Sequence, residues 1–198
     1  CFEVTPATLD PRPDSETLVS AVLAKIGDRA KSLAIIDLGT GTGCLLLALL
    51  SELPRASGTG VDLSAEAIEV AHRNAATLGL ASRAKFIRDD WAQHVAGSFD
   101  VVISNPPYIE SGAIARLAPE VAAHDPHAAL DGGADGLDAY RALLPQAARL
   151  LKPGGFVALE IGQGQGPAVS GLARAAGLRE SGSASDLAGI ERCLVFAS

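Results

Sequence analysis

The chain has 198 residues, 48% of them hydrophobic and 20% charged, which suits one α/β domain with a full core and leaves no room for a second large one. Its net charge is −7 and no run of three Lys or Arg occurs, so it lacks the broad basic surface that gives nucleic-acid binders most of their nonspecific affinity. Cys1, Cys44 and Cys193 show no CxxC spacing, which suits reduced thiols in a cytoplasm better than disulfides or a zinc site. No metal is expected, and Cys44 reads as a small buried residue. The longest apolar stretch, residues 44–50, is far too short to span a membrane, and no secretion signal opens the chain. A cytoplasmic protein without a membrane partner is expected.

Residues 5–13 read as an extended Pro-rich segment, and residues 14–26 as a helix with Leu18, Val19, Val22 and Leu23 on its apolar face. Together, residues 1–30 form an N-terminal lead-in expected to cross the ligand edge of a sheet. Strand-length apolar runs follow at 33–38, 59–62, 84–87, 99–104 and 156–161, with further strands at 179–184 and 192–197. Helical segments alternate with them. One runs over 44–53. Another is capped by Ser64, carries Ile68, Ala71, Ala75 and Leu78 at helical spacing, and stops at Gly79. A third, residues 138–151, turns Tyr140, Leu143, Leu144, Ala147 and Leu151 inward, with Pro145 expected to kink or restart it. Lys152, Pro153, Gly154 and Gly155 then turn into the next strand. Residues 105–136 have no sustained period and read as a functional loop or lid. The fold class is α/β: a seven-stranded, mostly parallel sheet with helices on both faces.

The first strand runs into Gly39, Thr40, Gly41, Thr42 and Gly43, and a helix follows at once. A strand, a glycine turn and a helix N-terminus make a nucleotide site, because glycines admit the ligand to the backbone and free amides point at it. A dinucleotide fingerprint places glycines at 39, 41 and 44, but position 44 is Cys, which favours a cofactor without a pyrophosphate. Asp62, ending the second strand, is placed to accept hydrogen bonds from ribose hydroxyls. After the third strand, Asp89, Asp90 and Trp91 are placed at the same edge to bond an adenine amino group and cover its ring.

The fourth strand delivers Asn105, Pro106, Pro107 and Tyr108 beyond its carboxyl end, where open α/β sheets bind ligands. The prolines fix the backbone, leaving the Asn105 side chain and the Pro106 carbonyl as rigid acceptors for one NH₂ group, with Tyr108 able to stack on a planar group. An amide nitrogen is a poor nucleophile because its lone pair is delocalised. Two preorganised oxygens can aim it at an electrophilic methyl and stabilise the positive charge it gains. No strong base is needed, so His94, His124 and His127 receive no catalytic role.

These residues give the chain a resemblance, over nearly its whole length, to the protein-(glutamine-N5) methyltransferases of the HemK/PrmC family. That family modifies the Gln of the Gly-Gly-Gln motif in peptide-chain release factors. The resemblance rests on Pro11-Arg12-Pro13-Asp14-Ser15-Glu16, the glycine loop at 39–43, Asp62, Asp90-Trp91, and Asn105 to Tyr108. Further matches are Ala129-Leu130-Asp131-Gly132-Gly133 with Asp135-Gly136-Leu137, and Glu160-Ile161-Gly162. Asp10, Asp14 and Asp125 depart mildly from the family pattern.

The resemblance implies a class I S-adenosylmethionine-dependent, Rossmann-like methyltransferase fold. It implies S-adenosylmethionine held across Gly39 to Gly43, Asp62, Asp90, Trp91 and Asn105, with S-adenosylhomocysteine as product. The substrate Gln amide is held by Asn105 and Pro106, beside Pro107 and Tyr108. Release factors are the implied protein partner, and nucleic acid is met only indirectly through the ribosome. The small helical domain that the family places before the Pro-Arg-Pro segment is not in this sequence, so residues 1–198 read as a single catalytic domain. A ribosomal-protein glutamine, or an adenine or guanine amino group, remains an alternative substrate, because relatives of the Asn-Pro-Pro-Tyr run occur in nucleic-acid amino-methyltransferases. A non-catalytic binding module is the third reading.

Overall fold

The computed structural model describes residues 2–5, 8, 9, 12–116 and 126–198, with Pro13 described by its backbone. A 3₁₀ turn, Pro13–Ser15, opens α1 (Glu16–Ile26). Then follow β1 (Ala34–Leu38), α2 (Cys44–Glu52), β2 (Ser57–Asp62), α3 (Ala65–Thr77), β3 (Ala84–Arg88) and β4 (Phe99–Ser104). Two short helices, α4 (Ser111–Ile114) and α5 (His127–Leu130), lie in the long segment after β4. The chain ends with α6 (Asp138–Leu150), β5 (Leu151–Glu160), α7 (Gly166–Ala175), β6 (Arg179–Ser185) and β7 (Glu191–Ala197).

The strands form one sheet in the order β3-β2-β1-β4-β5-β7-β6. Every pair is parallel except those of β7, which runs antiparallel to both β5 and β6. Successive strand residues face opposite sides, so the sheet separates two cores. Ile35, Val101, Ile103 and Ala158 pack with α1, α2 and α3 on one face. Ile36, Val102, Val157 and Leu159 pack with α6 and α7 on the other. Both faces are covered, which explains why the central strands read as unbroken apolar runs. Ser64 caps α3 as expected, its Oγ accepting from the Ala67 amide at 3.1 Å.

Two local expectations change. Helix α6 passes through Pro145 without a restart. Pro145 and Arg141, whose carbonyl loses its helical partner, both lie on the solvent side. The opposite stripe of Tyr140, Leu143, Leu144, Ala147 and Leu150 is buried; at about 1.5–3 kcal/mol per large apolar side chain, its burial outweighs the roughly 3 kcal/mol cost of an interior proline. Residues 152–155 do not precede β5 but bulge out of it, since Phe99 pairs with Leu151 and Val101 with Phe156. Asp100, opposite the bulge, accepts from Lys152 Nζ at 2.8 Å and from the Ala34 amide at 2.7 Å, so the expected turn is folded into the strand and pinned to β1.

Candidate active site

The strand order reverses between β1 and β4. The connections leaving their carboxyl ends diverge to opposite faces, opening the crevice in which α/β sheets bind ligands. A cavity of about 390 Å³ occupies that position. Gly39, Thr40, Gly41 and Thr42 form one wall, Asp62, Leu63 and Asp90 with Trp91 another, and Asn105 and Pro107 the far end. Thr8, Leu9 and Arg12 of the lead-in segment border it as well, which is the placement expected for that segment across the sheet edge.

The glycine loop is held by its own backbone. The amides of Gly39 and Thr40 both donate to the Val61 carbonyl, at 2.8 and 2.9 Å. Gly39, Gly41 and Gly43 have φ of 73°, 54° and 78°, a left-handed conformation that a Cβ disfavours. Gly43 does not line the cavity. It turns the chain into α2, and a Cβ there would meet Ala71, Leu47 and Phe86 at 3.2–3.3 Å. Its neighbours are packing contacts, and of the five loop residues expected at the cofactor it is the one that does not border the cavity.

Two carboxylates brace the loop. Asp62 accepts from the Gly41 amide at 2.8 Å through Oδ2 and from the Ser64 amide at 3.0 Å through Oδ1. Each oxygen keeps a further lone pair for a ligand hydroxyl. Beneath them Asp37 is fully buried and accepts from Thr40 Oγ1 at 2.7 Å, while its Oδ1 has no hydrogen-bond partner among the described residues. Burial pushes its carboxyl up to about 7; the Thr40 bond opposes the rise, neighbouring Asp62 adds to it, and the Leu46 amide at the start of α2 opposes it.

Asp90 and Trp91 reach the cavity as expected, but Asp89 does not. Its carboxylate turns inward, accepting from the His94 amide at 2.8 Å and lying 2.9 Å from His94 Nδ1. Burial raises the Asp89 carboxyl, and the His94 bonds more than reverse that, holding it below the usual range. Trp91 serves two ends: it packs against the core under α6, and its ring edge lies 3.4 Å from where a Cβ on Gly39 would stand. Its φ of 54° is uncommon for a bulky residue and marks a backbone held by its surroundings.

A smaller cavity of about 120 Å³ adjoins the first and shares Leu9, Arg12, Asn105, Pro107 and Ala129 with it. Pro106, Tyr108, Ile109, Leu130 and Glu160 complete it. Asn105 therefore stands between the two spaces. Its Nδ2 donates to Ser15 Oγ at 3.2 Å, which sets the amide so that Oδ1 is the uncommitted end. Tyr108 donates through its hydroxyl to Glu160 Oε1 at 3.2 Å, and its carbonyl accepts from Gln165 Nε2 at 3.0 Å. The Asn-Pro-Pro-Tyr segment is thus tied to α1 at one end and to β5 and the start of α7 at the other. Among the histidines, His94 and His127 line neither cavity, and His124 lies outside the described residues, as do Asp10, Pro11 and Asp125.

Ser15 and Glu160 received no individual role from the sequence, although a carboxylate closing the buried run of β5 was a signal available to be read. Cys44, expected to be a small core residue, is half-buried and lines the larger cavity, with burial pushing its thiol up to about 11. It follows Gly43 at the first turn of α2, where the loop brings that turn up against the ligand space.

Residues 13–134 match the family model described as methyltransferase small domain. A release factor glutamine methyltransferase of Rhodospirillum rubrum is 56% identical over 191 residues, covering 95% of this chain and 57% of its own length. One from Cereibacter sphaeroides is 49% identical over 191 residues, covering 96% of this chain and 67% of its own length. The chain thus spans little more than half of the first relative and two thirds of the second. Among solved structures, the ribosomal protein L11 methylase of Lactobacillus delbrueckii subsp. bulgaricus superposes with a TM-score of 0.71 at 19% identity, over 96% of this chain and 80% of that one. That likeness is one of fold, the class I Rossmann-like methyltransferase fold expected above. The chain belongs to the release factor glutamine methyltransferase family, on a methyltransferase small domain.

Proposed function

We propose that this chain is the catalytic domain of a cytoplasmic enzyme that transfers a methyl group from S-adenosylmethionine to the side-chain amide nitrogen of the Gln in the Gly-Gly-Gln motif of peptide-chain release factors. The observation that carries the reading is Asn105. It stands where the two cavities meet, with its NH₂ end committed to Ser15 and no hydrogen bond to Oδ1 among the described residues.

The larger cavity fits the cofactor by the chemistry of its lining. Backbone of residues 39–42 lies along it at positions where left-handed glycines admit close approach. Asp62 and Asp90 offer acceptors suited to ribose hydroxyls and an adenine amino group, and Trp91 and Leu63 offer apolar surface for the ring. S-adenosylmethionine, when bound, supplies an electrophilic methyl group.

The protein's own contribution is orientation. Asn105 Oδ1 and the Pro106 carbonyl accept both hydrogens of the substrate NH₂, turning the nitrogen lone pair toward the larger cavity. The same oxygens stabilise the positive charge that grows on nitrogen, and having been fixed beforehand they do so without reorganisation. The proton leaves after transfer, when the nitrogen is strongly acidic, so no protein base is required.

The test is incubation with labelled cofactor and a purified release factor, beside its Gln-to-Ala variant. Label in the first and none in the second is expected. Equal labelling of both would sink the reading, and label appearing in ribosomal protein or RNA instead would move the substrate accordingly.

A further inference from the structure

Asn74 lies inside α3 with 2% of its surface exposed, on the stripe that also buries Ala67, Val70, Ala71 and Ala75. An asparagine there is costly twice: it weakens a helix interior relative to Ala, and its amide is withdrawn from water. Helix α3 makes no use of that amide. Among the described residues, the side-chain bonds of Asn74 all leave the helix for two segments far apart in sequence.

Asn74 Oδ1 accepts from the Glu3 amide at 2.7 Å, and Nδ2 donates to the Glu3 carbonyl at 3.1 Å and to the Thr42 carbonyl at 3.0 Å. A side-chain amide has two hydrogens, and both are spent here on carbonyls while the oxygen takes a backbone N–H. Turning the amide over would set NH₂ against N–H and oxygen against two carbonyls, so the three contacts together fix its orientation.

What the two segments share is the larger cavity. Thr42 belongs to the glycine loop and borders that cavity, and its Oγ1 is buried without a hydrogen-bond partner among the described residues. It is a polar atom left open in a residue of the cavity wall. Glu3 belongs to the lead-in segment, of which Thr8 and Leu9 border the same cavity. That segment is docked around Glu3: Phe2 packs against the core under α1, α2 and α3, and the Glu3 carboxylate pairs with Arg73 through Nη2 at 2.8 Å and Nε at 3.0 Å. Thr8 in turn holds Thr5, donating to its carbonyl through Oγ1 at 3.2 Å and through its amide at 3.0 Å.

Resting on the cofactor site proposed above, we propose that Asn74 is a positioning residue for S-adenosylmethionine binding: its one buried amide ties the Thr42 carbonyl of the glycine loop to the backbone of the lead-in segment, so that two walls of the larger cavity are set together in advance. Asn74 borders neither cavity, so its effect on the ligand passes through Thr42 and Glu3. A wall already in place spares the ligand the cost of ordering it, and affinity falls by the fraction of molecules in which it is not. The hydrogen given to Thr42 is the decisive half. Its carbonyl belongs to the peptide unit entering Gly43, where φ is 78°; without the donor that unit is released to rotate, and the Thr42 side chain moves with it.

The experiment compares the full-length native protein with Asn74→Ala, Asn74→Asp, Arg73→Ala and Val195→Ala. It measures S-adenosylmethionine affinity by calorimetry, hydrogen exchange of the loop amides in the ligand-free protein, melting temperature, and release-factor methylation across cofactor concentrations. Asp has the shape of Asn and keeps the acceptor for the Glu3 amide, but brings no hydrogen for Thr42. Both Asn74 variants are expected to raise the cofactor Kd about ten-fold or more, with kcat at saturating cofactor within about three-fold, the mark of lost ground-state binding. Exchange at residues 40–43 should quicken at least about ten-fold. Arg73→Ala loses an exposed ion pair, and Val195→Ala loses buried volume on β7 away from both cavities; both should keep Kd within about two-fold. An Asn74→Asp protein whose Kd lies within two-fold of native overturns the proposal. So does a Kd that rises as much in Arg73→Ala or Val195→Ala, since the effect is then one of docking charge or of stability alone. Should neither Asn74 variant fold, Glu3→Pro, which removes the amide hydrogen that Oδ1 accepts and leaves α3 untouched, is read by the same criteria. A native protein that binds no S-adenosylmethionine overturns the proposal together with the cofactor reading beneath it, and that failure is recognised in the native protein before any variant is compared.

Discussion

Replacing Asn105 by Ala separates orientation from cofactor binding. The substitution removes Oδ1, the acceptor proposed to face the substrate, and releases Ser15 from its 3.2 Å contact with Nδ2. The second loss is one neutral, partly buried hydrogen bond, worth about 1 kcal/mol, which in a chain of this size lowers the melting temperature by about 2–4 °C. The first loss removes one of two preorganised groups that stabilise charge growing on nitrogen; by comparison with removal of a single oxyanion-hole donor it costs about 2.7–4 kcal/mol, or roughly 100- to 1,000-fold in kcat. Asn105 borders the larger cavity only at its far end, and the glycine loop, Asp62, Asp90 and Trp91, which make up the walls assigned to most of the cofactor, are left intact by the substitution. Calorimetric affinity for S-adenosylmethionine should therefore change by less than about five-fold. Methyl incorporation into a purified release factor under saturating cofactor measures the rate. A rate within about three-fold of native, or a loss that tracks an equal loss of cofactor affinity, would refute the assignment of Asn105 to the substrate nitrogen.

Asp62→Ala should act in the opposite way: losing an acceptor pair for the ribose, worth about 1.5–3 kcal/mol per charge-assisted bond, raises cofactor Kd at least about ten-fold, measured by the same calorimetry, while kcat at saturation falls far less than in Asn105→Ala. Gly60→Ala should destabilise the fold, because its Cβ would stand 2.6 Å from Phe86 Cδ1 and 2.8 Å from Thr40 Oγ1; the overpacking costs about 1–3 kcal/mol and is read as a lower denaturation midpoint. Asp37 gives a pH dependence of defined sign. Its carboxyl titrates near 3.8 when unfolded and at about 7 when folded, so the folded state binds more protons between those values and stability falls as pH rises through that window, by roughly 4 kcal/mol in all. Asp37→Asn should flatten that fall in urea titrations from pH 4 to 8; a variant with the native slope would show that Asp37 does not cause it.

The fold was readable where one periodicity held. The central strands and the helices around Leu18, Ala71 and Leu143 show in the sequence as apolar runs and stripes, because burial on both faces of the sheet leaves little freedom at those positions, whereas β6, RESGSAS, is exposed along nearly its whole length and carries no apolar run. Reading failed where tertiary packing decided between local options. Pro145 signals a helix break, and only the buried stripe on the far side of α6 holds the helix through it. Residues 152–155 signal a turn, and only Asp100 on the neighbouring strand folds them into a bulge. Asp62, Asp90, Trp91 and Asn105 line the larger cavity, a placement legible in the sequence because each stands at or just after a strand end. The inward turn of Asp89, one residue from Asp90, was not legible, since its direction depends on the later turn that brings His94 back to it. Ser15 was hidden for the same kind of reason: its partner Asn105 is 90 positions away in sequence.

A shared pattern links the pieces of the site that sequence periodicity undervalues. The runs AIIDL in β1, SGTGVD in β2 and the β5 run closing in ALE each carry a carboxylate at or near the carboxyl end. A parallel arrangement brings those three ends to one edge of the sheet. Asp37 and Glu160 are buried there and each keeps an oxygen without a partner among the described residues, an expense that an apolar residue at the same position would avoid. Their neighbours explain why they are carboxylates. Asp37 holds Thr40 in the loop that borders the larger cavity, and Glu160 holds Tyr108 at the smaller one, so each spends stability to fix the direction of a hydroxyl beside a ligand. On this reasoning the two are not interchangeable with each other's surroundings. Perturbing Asp37 should reach the cofactor first, perturbing Glu160 should reach the substrate nitrogen first, and Asn105, where the two cavities meet, is the residue through which both are felt.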